Sequence, residues 1–424
     1  MKFKIHIMEL PSVALHTLVC GAIYLGILFF QFTFPVAYNY FTSEDRWIEC
    51  ATFVFYFIAG LLILRMITIT PAVRRPGYVL LCLGLFFVAM EEISWGQRFF
   101  NLHTPQILAQ NNLQAELTLH NASFFPAEKL LFYVIIIWAV FLPVILHRLK
   151  ALDALLKSIG IPLVPFEIQS YFVLGFLFKN VALVIRSEEI GECLIGLGFL
   201  LFSIDIYCQM GNKTVNKYLG KGRCFGLVAI IAVAITSIIV LAGPKDIYAL
   251  KRQLHKSAIM EYPQRGMNAQ AEEIFKYIAQ HKEFKNDDSL FQYGLFLKNI
   301  KGRQDAKAIF LTALEEVKER MLINPDKPAP NILAGKILKE LNRPDLAQAE
   351  FIEALRKDQI RLAQAQLNWQ KMDALKSMGE TYIEIGNYSL AKEHLQRAFE
   401  FAEDGWAKTR IINMLKVMPS NSNL

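Results

Sequence analysis

The side chains best suited to chemistry in this sequence are carboxylates set in apolar surroundings. Glu91 and Glu92 close a long apolar run in "MEEISWGQRFF", residues 90–100, with Gln97 and Arg98 just behind them. Glu49 follows "SEDRW" at the start of another apolar run, and "SEEIGEC" opens a third with Glu188, Glu189 and Glu192. Glu188 and Glu192 are four apart and share a helix face. Lys179 interrupts a further run about seven residues before Arg186. A lone cation inside a bilayer is costly, so Lys179 requires a carboxylate. Glu192, at matching depth in an antiparallel helix pair, is the first candidate. The loop "NLHTPQILAQNNLQAELTLHNASFFP" adds Thr104 and Pro105 as a helix cap and first position. Ile107, Leu108, Leu113 and Leu117 then give a pattern suited to a helix on a membrane surface, with Glu116 and His120 four apart on one side.

Several chemistries fit such a set. Glu and His side chains could hold a divalent metal that polarises a phosphoryl or carbonyl group. Paired carboxylates could act as acid and base. Buried carboxylates with a lysine could relay charge through a transporter. The bland alternative is structural, because helix ends near water tolerate Glu and ion pairs lock helices together. No HExxH, GxSxG or P-loop motif decides among them, and the HxxxH of some seven-span hydrolases is absent. Within the pair, Glu91 and Glu92 lie about 100° apart on a helix, so one of them faces inward. Glu92, three residues after Ala89 and four before Gly96, is the favoured one. Trp95 suits an interfacial anchor, Arg98 a headgroup contact or a counter-ion, and Asp205 an interfacial position.

These residues must be positioned by membrane helices. The chain has 424 residues, of which 54% are hydrophobic, and the apolar excess lies before about residue 243. Runs of roughly 20 apolar residues predict seven spans, near 12–36, 47–66, 77–97, 129–147, 168–186, 188–208 and 224–243. The start "MKFK" looks like a signal peptide, but its apolar run is too long and reads as a retained anchor. The net charge is +7, but most of the Lys and Arg of the apolar half sit in short loops between apolar runs, which points to topology rather than nucleic acid. Their bias to alternate loops predicts a cytoplasmic N-terminus and, with seven spans, an extracytoplasmic tail: an integral protein of a bacterial inner membrane, in contact with lipid. The 6 cysteines form no CxxC pair or disulfide framework.

The tail repeats itself. "YGLFLKNIKGRQDAKAIFLTAL", "AGKILKELNRPDLAQAEFIEAL" and "MGETYIEIGNYSLAKEHLQRAF" each carry a Gly (Gly294, Gly335, Gly379), an Ala twelve residues on and another Ala seven further. This pattern closely resembles the tetratricopeptide repeat, which implies stacked helix pairs that bind protein partners. The glycines are 41 and 44 apart, longer than that family's usual spacing, and the excess is expected to lengthen second helices, as in "RKDQIRLAQAQLNWQ". A degenerate first repeat is expected over 251–284. By the resemblance, first helices line a concave face that includes Phe291, Leu295, Lys298, Asn299, Ile332 and Lys336, continuing through Lys339, Lys376, Glu380 and Ile383. The lysines there would hold an acidic peptide or a terminal carboxylate. The string "EEISWGQR" with "TPQIL", "NLQAEL" and "LHN" resembles a pattern in multi-span bacterial membrane proteins without an attached activity.

The expected fold is all-α: a transmembrane bundle over 1–246, then a tetratricopeptide-like solenoid over 247–424. Three functions compete. The first is a scaffold or assembly factor for an envelope process, binding a partner through the repeats. The second is a membrane enzyme on a lipid or lipid-linked substrate, built on Glu91, Glu92, Glu116 and His120. The third is a transporter using Lys179 and the carboxylates.

Overall fold

The computed structural model describes residues 10–43, 46–97, 104, 127–210, 221–242, 247–402 and 405–419. Among the described residues the regular elements are all helical. The chain divides into two compact units, Met1–Ile274 and Phe275–Leu424.

The first unit starts with α1 (Leu10–Thr33), α2 (Pro35–Thr42), α3 (Trp47–Ile69) and α4 (Arg75–Glu92). Then come α5 (Ala127–Ile136), α6 (Leu142–Arg148), α7 (Lys150–Ser158) and α8 (Gln169–Asn180). It continues with α9 (Ser187–Met210), α10 (Lys221–Ala242) and α11 (Ile247–Lys256). Helix α3 is central and packs on α4, α9 and α10, while α9 also packs on α8. Aromatic side chains fill the middle: Trp138 stacks on Phe199 at 5.6 Å, and Tyr56, Phe172 and Phe202 are fully buried. Large apolar side chains on the outside of α1 (Leu18, Leu25, Phe29) and α10 (Ile230, Val233, Leu241) are exposed. So much apolar surface on one unit suits lipid rather than water.

Among the described residues three helices, not seven, are long and apolar enough to cross a membrane by length and composition: Ser12–Thr33, Trp47–Ile69 and Ser187–Gln209. The other expected spans fall short for separate reasons. Helix α4 carries Arg75, Glu91 and Glu92 within its 18 residues. The apolar helix Leu130–Leu146 is short and is interrupted by a π-helical turn at Ile137–Phe141, just before Pro143. Helix α8 stops after 12 residues because the chain turns extended at Val181. Leu227–Leu241 is the remaining short apolar helix.

The expected boundary at 246/247 is not where compactness changes. Residues 247–267 belong with the first unit, through a buried polar network. Ser257 Oγ lies 2.6 Å from both Asn39 Oδ1 and Glu261 Oε2, and Gln253 Nε2 donates to Asn39 Oδ1 at 3.2 Å. Arg265 Nη2 donates to the Val184 carbonyl at 2.9 Å. The segment expected to open the repeat array is therefore divided, its first helix docked on α2.

The second unit is built from α13 (Ser289–Ile300), α14 (Arg303–Ile323), α15 (Ala329–Glu340), α16 (Pro344–Gln364), α17 (Asn368–Ile385), α18 (Tyr388–Phe401) and α19 (Gly405–Val417), with α12 (Asn268–Gln280) crossing the unit boundary. They pair as helix hairpins, α13 with α14, α15 with α16 and α17 with α18, each pair packing on the next. One packing detail recurs in all three. A Cβ placed on Gly294 would meet the Phe310 ring at 2.4 Å, one on Gly335 the Phe351 ring at 2.4 Å, and one on Gly379 the Leu395 side chain at 2.6 Å. The large residue follows its glycine by sixteen positions each time. The repeated alanines, Ala306, Ala347 and Ala391 among them, are buried in the same hairpins. The excess length lies in the second helices α14 and α16, each of 21 residues.

Candidate functional site

Two glycines set the geometry of the membrane-unit site. A Cβ on Gly191 would meet the Gly175 carbonyl oxygen at 2.6 Å and the Lys179 amide nitrogen at 2.7 Å. Helices α8 and α9 therefore cross with their backbones nearly touching. That contact brings Lys179 onto Glu192, and the two form a hydrogen-bonded ion pair. The Lys179 ammonium also lies 5.0 Å from the centroid of the Phe132 ring. One turn earlier, Arg186 Nη2 reaches Glu189 Oε1 at 3.0 Å while its Nε donates to the Thr42 carbonyl at 3.1 Å.

Glu92 is brought into the same neighbourhood. It lies within electrostatic reach of Glu192, Glu49, Glu189 and Lys179, the groups of three other helices. The buried Tyr56 hydroxyl faces Glu92, Glu192 and Cys193, and Thr52 hydrogen-bonds the Cys193 thiol. Glu49, Glu92, Glu189 and Glu192, from α3, α4 and α9, thus share one region with Lys179. Lys179, the cation within reach of Glu92, is already bonded to Glu192.

Glu91 goes elsewhere. It is buried and accepts a hydrogen bond from Trp95 Nε1 at 2.6 Å, and the Trp95 ring sits edge-on to Phe87 at 5.9 Å. The chain makes this possible by a left-handed turn over Ser94 (φ 48°), Trp95 (φ 53°) and Gly96 (φ 74°). Non-glycine residues rarely occupy that conformation. Gln97 Nε2 then donates to Thr104 Oγ1 at 2.7 Å. Glu91, Trp95 and Gln97 shape the end of α4, whereas Glu92 faces the other carboxylates. Glu188 is exposed. Arg98, Glu116 and His120 lie outside the described residues. Among the described residues, no group of three or more His, Cys, Asp and Glu side chains is arranged to hold a metal ion. The five described cysteines are all free thiols.

The second unit holds a groove of about 670 Å³. Of the residues expected on a concave face, Phe291, Ile332, Lys336, Lys376 and Glu380 line it, and Lys298, Asn299 and Lys339 do not. The expected row of available lysines is corrected. Lys298 bonds Glu340 at 2.7 Å, Lys336 bonds Glu380 at 2.6 Å and Lys339 bonds Glu384 at 2.9 Å, each partner belonging to the following helix pair. Lys376 bonds Asp373 at 2.8 Å on its own helix. These lysines join hairpin to hairpin or, for Lys376, pair within a helix.

Sequence reasoning missed Arg361. It reaches the groove because α16 is longer than its repeat requires, so the added turns carry Arg361 past the hairpin core. There it bridges Asp358 at 2.8 Å and Asp373 at 2.6 Å. Asp358 is fully buried, and that burial raises its carboxyl to about 6 even though Ser377 and Arg361 hydrogen-bond it. Burial also opposes ionisation of Asp373, but hydrogen bonds from Lys376 and Arg361 outweigh it and hold that carboxyl below its ordinary value. The signal was present in "RKDQIR", where Asp358 and Arg361 are three apart on a helix.

Compared with protein-family models, with curated proteins and with solved structures, the chain matches none.

Proposed function

We propose that this chain is a membrane scaffold or assembly factor whose tetratricopeptide-like repeat unit holds an extended segment of a protein partner in the groove of the second unit. One observation carries the reading: a groove of about 670 Å³ combines an apolar floor of Phe291, Ile332 and Leu333 with charged side chains along its edges. Apolar anchors within a charged rim are the usual anatomy of a peptide-binding surface. The loop charges support a cytoplasmic N-terminus and an extracytoplasmic repeat unit in a bacterial inner membrane. Reporter fusions after Lys221 and after Leu424 test that sidedness and should give opposite signals. The groove is tested by a photo-crosslinking amino acid placed at Leu333 or at the exposed Gln359 of the full chain in cells. A discrete adduct from Leu333 alone supports the reading, and equal labelling from both positions removes it.

A second reading rests on Glu92. Its position among Glu49, Glu189 and Glu192 supports acid–base or charge-relay work within the membrane unit, on a lipid-linked or small ionic substrate. Replacement of Glu92 by Gln separates the two readings. If cells carrying the variant lose function while the Leu333 adduct persists, the chemistry resides in the membrane unit.

A further inference from the structure

The membrane unit shows how its carboxylates treat an ammonium. Lys179 is held by Glu192, and its ammonium lies 5.0 Å from the centroid of the Phe132 ring. Glu92 ends α4 within electrostatic reach of both members of that pair and is half-buried, so the end of α4 leaves it a route to the outside. Among the described residues, no donor hydrogen-bonds the Glu92 carboxyl.

A second group in the same place is also without a bond. Tyr56 is 1% exposed, and its hydroxyl faces Glu92, Glu192 and Cys193. Its ring is fixed: it stands 5.6 Å from the Phe199 ring, and a Cβ on Gly196 would meet it at 3.1 Å. Glu49, Thr52 and Tyr56 follow at spacings of three and four, which sets them on one face of α3. Thr52 bonds the Ile48 carbonyl and the Cys193 thiol. The Tyr56 hydroxyl, among the described residues, takes part in no hydrogen bond. Buried hydroxyls are ordinarily bonded, and a fixed ring cannot carry this one to another partner.

These open oxygens select a ligand by its chemistry. Carboxylates from three helices repel an anion. A divalent metal needs a fuller set of ligands, and the described residues hold no such group. A quaternary ammonium has no N–H to donate and would leave the Tyr56 oxygen bare. A primary ammonium is a compact charge with three donors, and Glu92 with Tyr56 offers it a carboxylate and a hydroxyl oxygen. We propose that Glu92 and Tyr56 bind the primary ammonium group of a small ligand or of a lipid headgroup. The proposal rests on the second reading above and adds the chemical class of what Glu92 meets.

The test uses the full chain purified in detergent and native mass spectrometry. The chain is incubated with equal amounts of dioleoylphosphatidylethanolamine and dioleoylphosphatidylcholine, which differ only in methylation of the headgroup nitrogen. It should retain the first roughly tenfold over the second, and Glu92→Gln should lower that retention roughly tenfold and Tyr56→Phe roughly threefold. Tyr56→Phe keeps the ring and its packing, so it decides the matter if Glu92→Gln fails to fold. Glu188→Gln removes an exposed carboxylate of α9 and should change nothing. In a second arm the chain in phosphatidylcholine nanodiscs receives ethylammonium chloride, with sodium chloride at equal ionic strength as the reference. A higher Tm with ethylammonium, lost in Tyr56→Phe, supports the site and assigns it to a soluble amine. Selective lipid retention without that rise supports the site and assigns it to the headgroup. Equal retention of the two lipids with no ethylammonium effect, equal effects of sodium and ethylammonium, or a loss in Glu188→Gln as large as in Tyr56→Phe overturns the inference. If no amine binds but Glu92→Gln abolishes function in cells, the second reading stands and the inference falls. Full function of Glu92→Gln in cells removes the second reading itself.

Discussion

The two units use the same residue types, glutamate and lysine, in opposite ways. In the repeat unit the charges are matched one for one: Lys298, Lys336 and Lys339 each meet a glutamate, and the bonds are partly open to water. Such pairs contribute little individually, and what they set is the register of one hairpin on the next. In the membrane unit Glu49, Glu92, Glu189 and Glu192 gather near Lys179, and the site lies among apolar helices where charge is expensive. A balanced ladder needs no function to explain it. Like charges gathered in a poor solvent for ions carry a standing cost, and that crowding makes Glu92 worth testing.

The contrast predicts its own largest effect. Lys179→Met leaves the half-buried Glu192 without the ammonium that bonds it and should destabilise the membrane unit by about 3 kcal/mol. Thermal unfolding in detergent measures it, and Lys179→Met with Glu192→Met should recover most of the loss. If the single variant melts like the parent, the site is wetter than its surroundings imply and the contrast between the units collapses.

Next comes Asp358. Its folded carboxyl titrates at about 6, above the roughly 3.9 of an unfolded chain, so the folded state binds the proton more tightly. The sign follows from that. This residue's contribution is fully present below about pH 4 and is lost as pH rises through about 6, with up to about 3 kcal/mol at stake. Hydrogen exchange at the α16 and α17 amides of the full chain should show slower opening at pH 5 than at pH 7.5, after correction for intrinsic exchange. Asp358→Asn should flatten the difference. A difference that persists in that variant assigns the titration to another group.

A third test concerns packing. Gly335→Ala drives a methyl to within 2.4 Å of the Phe351 ring. Overpacking of this kind costs about 1–3 kcal/mol, and Phe351→Leu should relieve part of it. The smallest effect belongs to the ladder: Lys339→Ala should shift stability by no more than about 1 kcal/mol. A loss as large as that of Lys179→Met would mean that the two sets of charges are not so different.

Much of this arrangement is legible in the residues. The glycine and alanine spacing marks the three hairpins because close helix approach tolerates only small side chains. Equal depth on an antiparallel pair is enough to join Lys179 to Glu192, whereas the small neighbours of Glu92 are a poorer guide, because Glu91 is the more buried of the two and Glu92 is half-buried. Other features are not legible, for physical reasons. Hydropathy counts apolar residues but not helix ends, so "VALVIR" after Asn180 reads as more helix when its backbone is in fact extended at Val181. The partner of Glu91 depends on a left-handed turn at Ser94 and Trp95, which composition does not announce. The concave lysines look available in one repeat because their partners stand a whole repeat later. Arg361 escapes notice because a second helix is not expected to reach the groove.

The fixed socket and the variable length of the repeats have a further consequence. Sixteen residues separate glycine from its large partner in every hairpin, yet successive repeats differ in length, 41 and 44 residues between glycines. What holds the stack together and what lines the groove are therefore encoded in different stretches of chain. A whole helical turn added or deleted near the end of α16 would move a side chain such as Arg361 along the groove while leaving the Gly335–Phe351 contact as it is. The lining of the groove can drift by changes in length, with the architecture held constant, as a tool can be refitted at its tip without altering the handle.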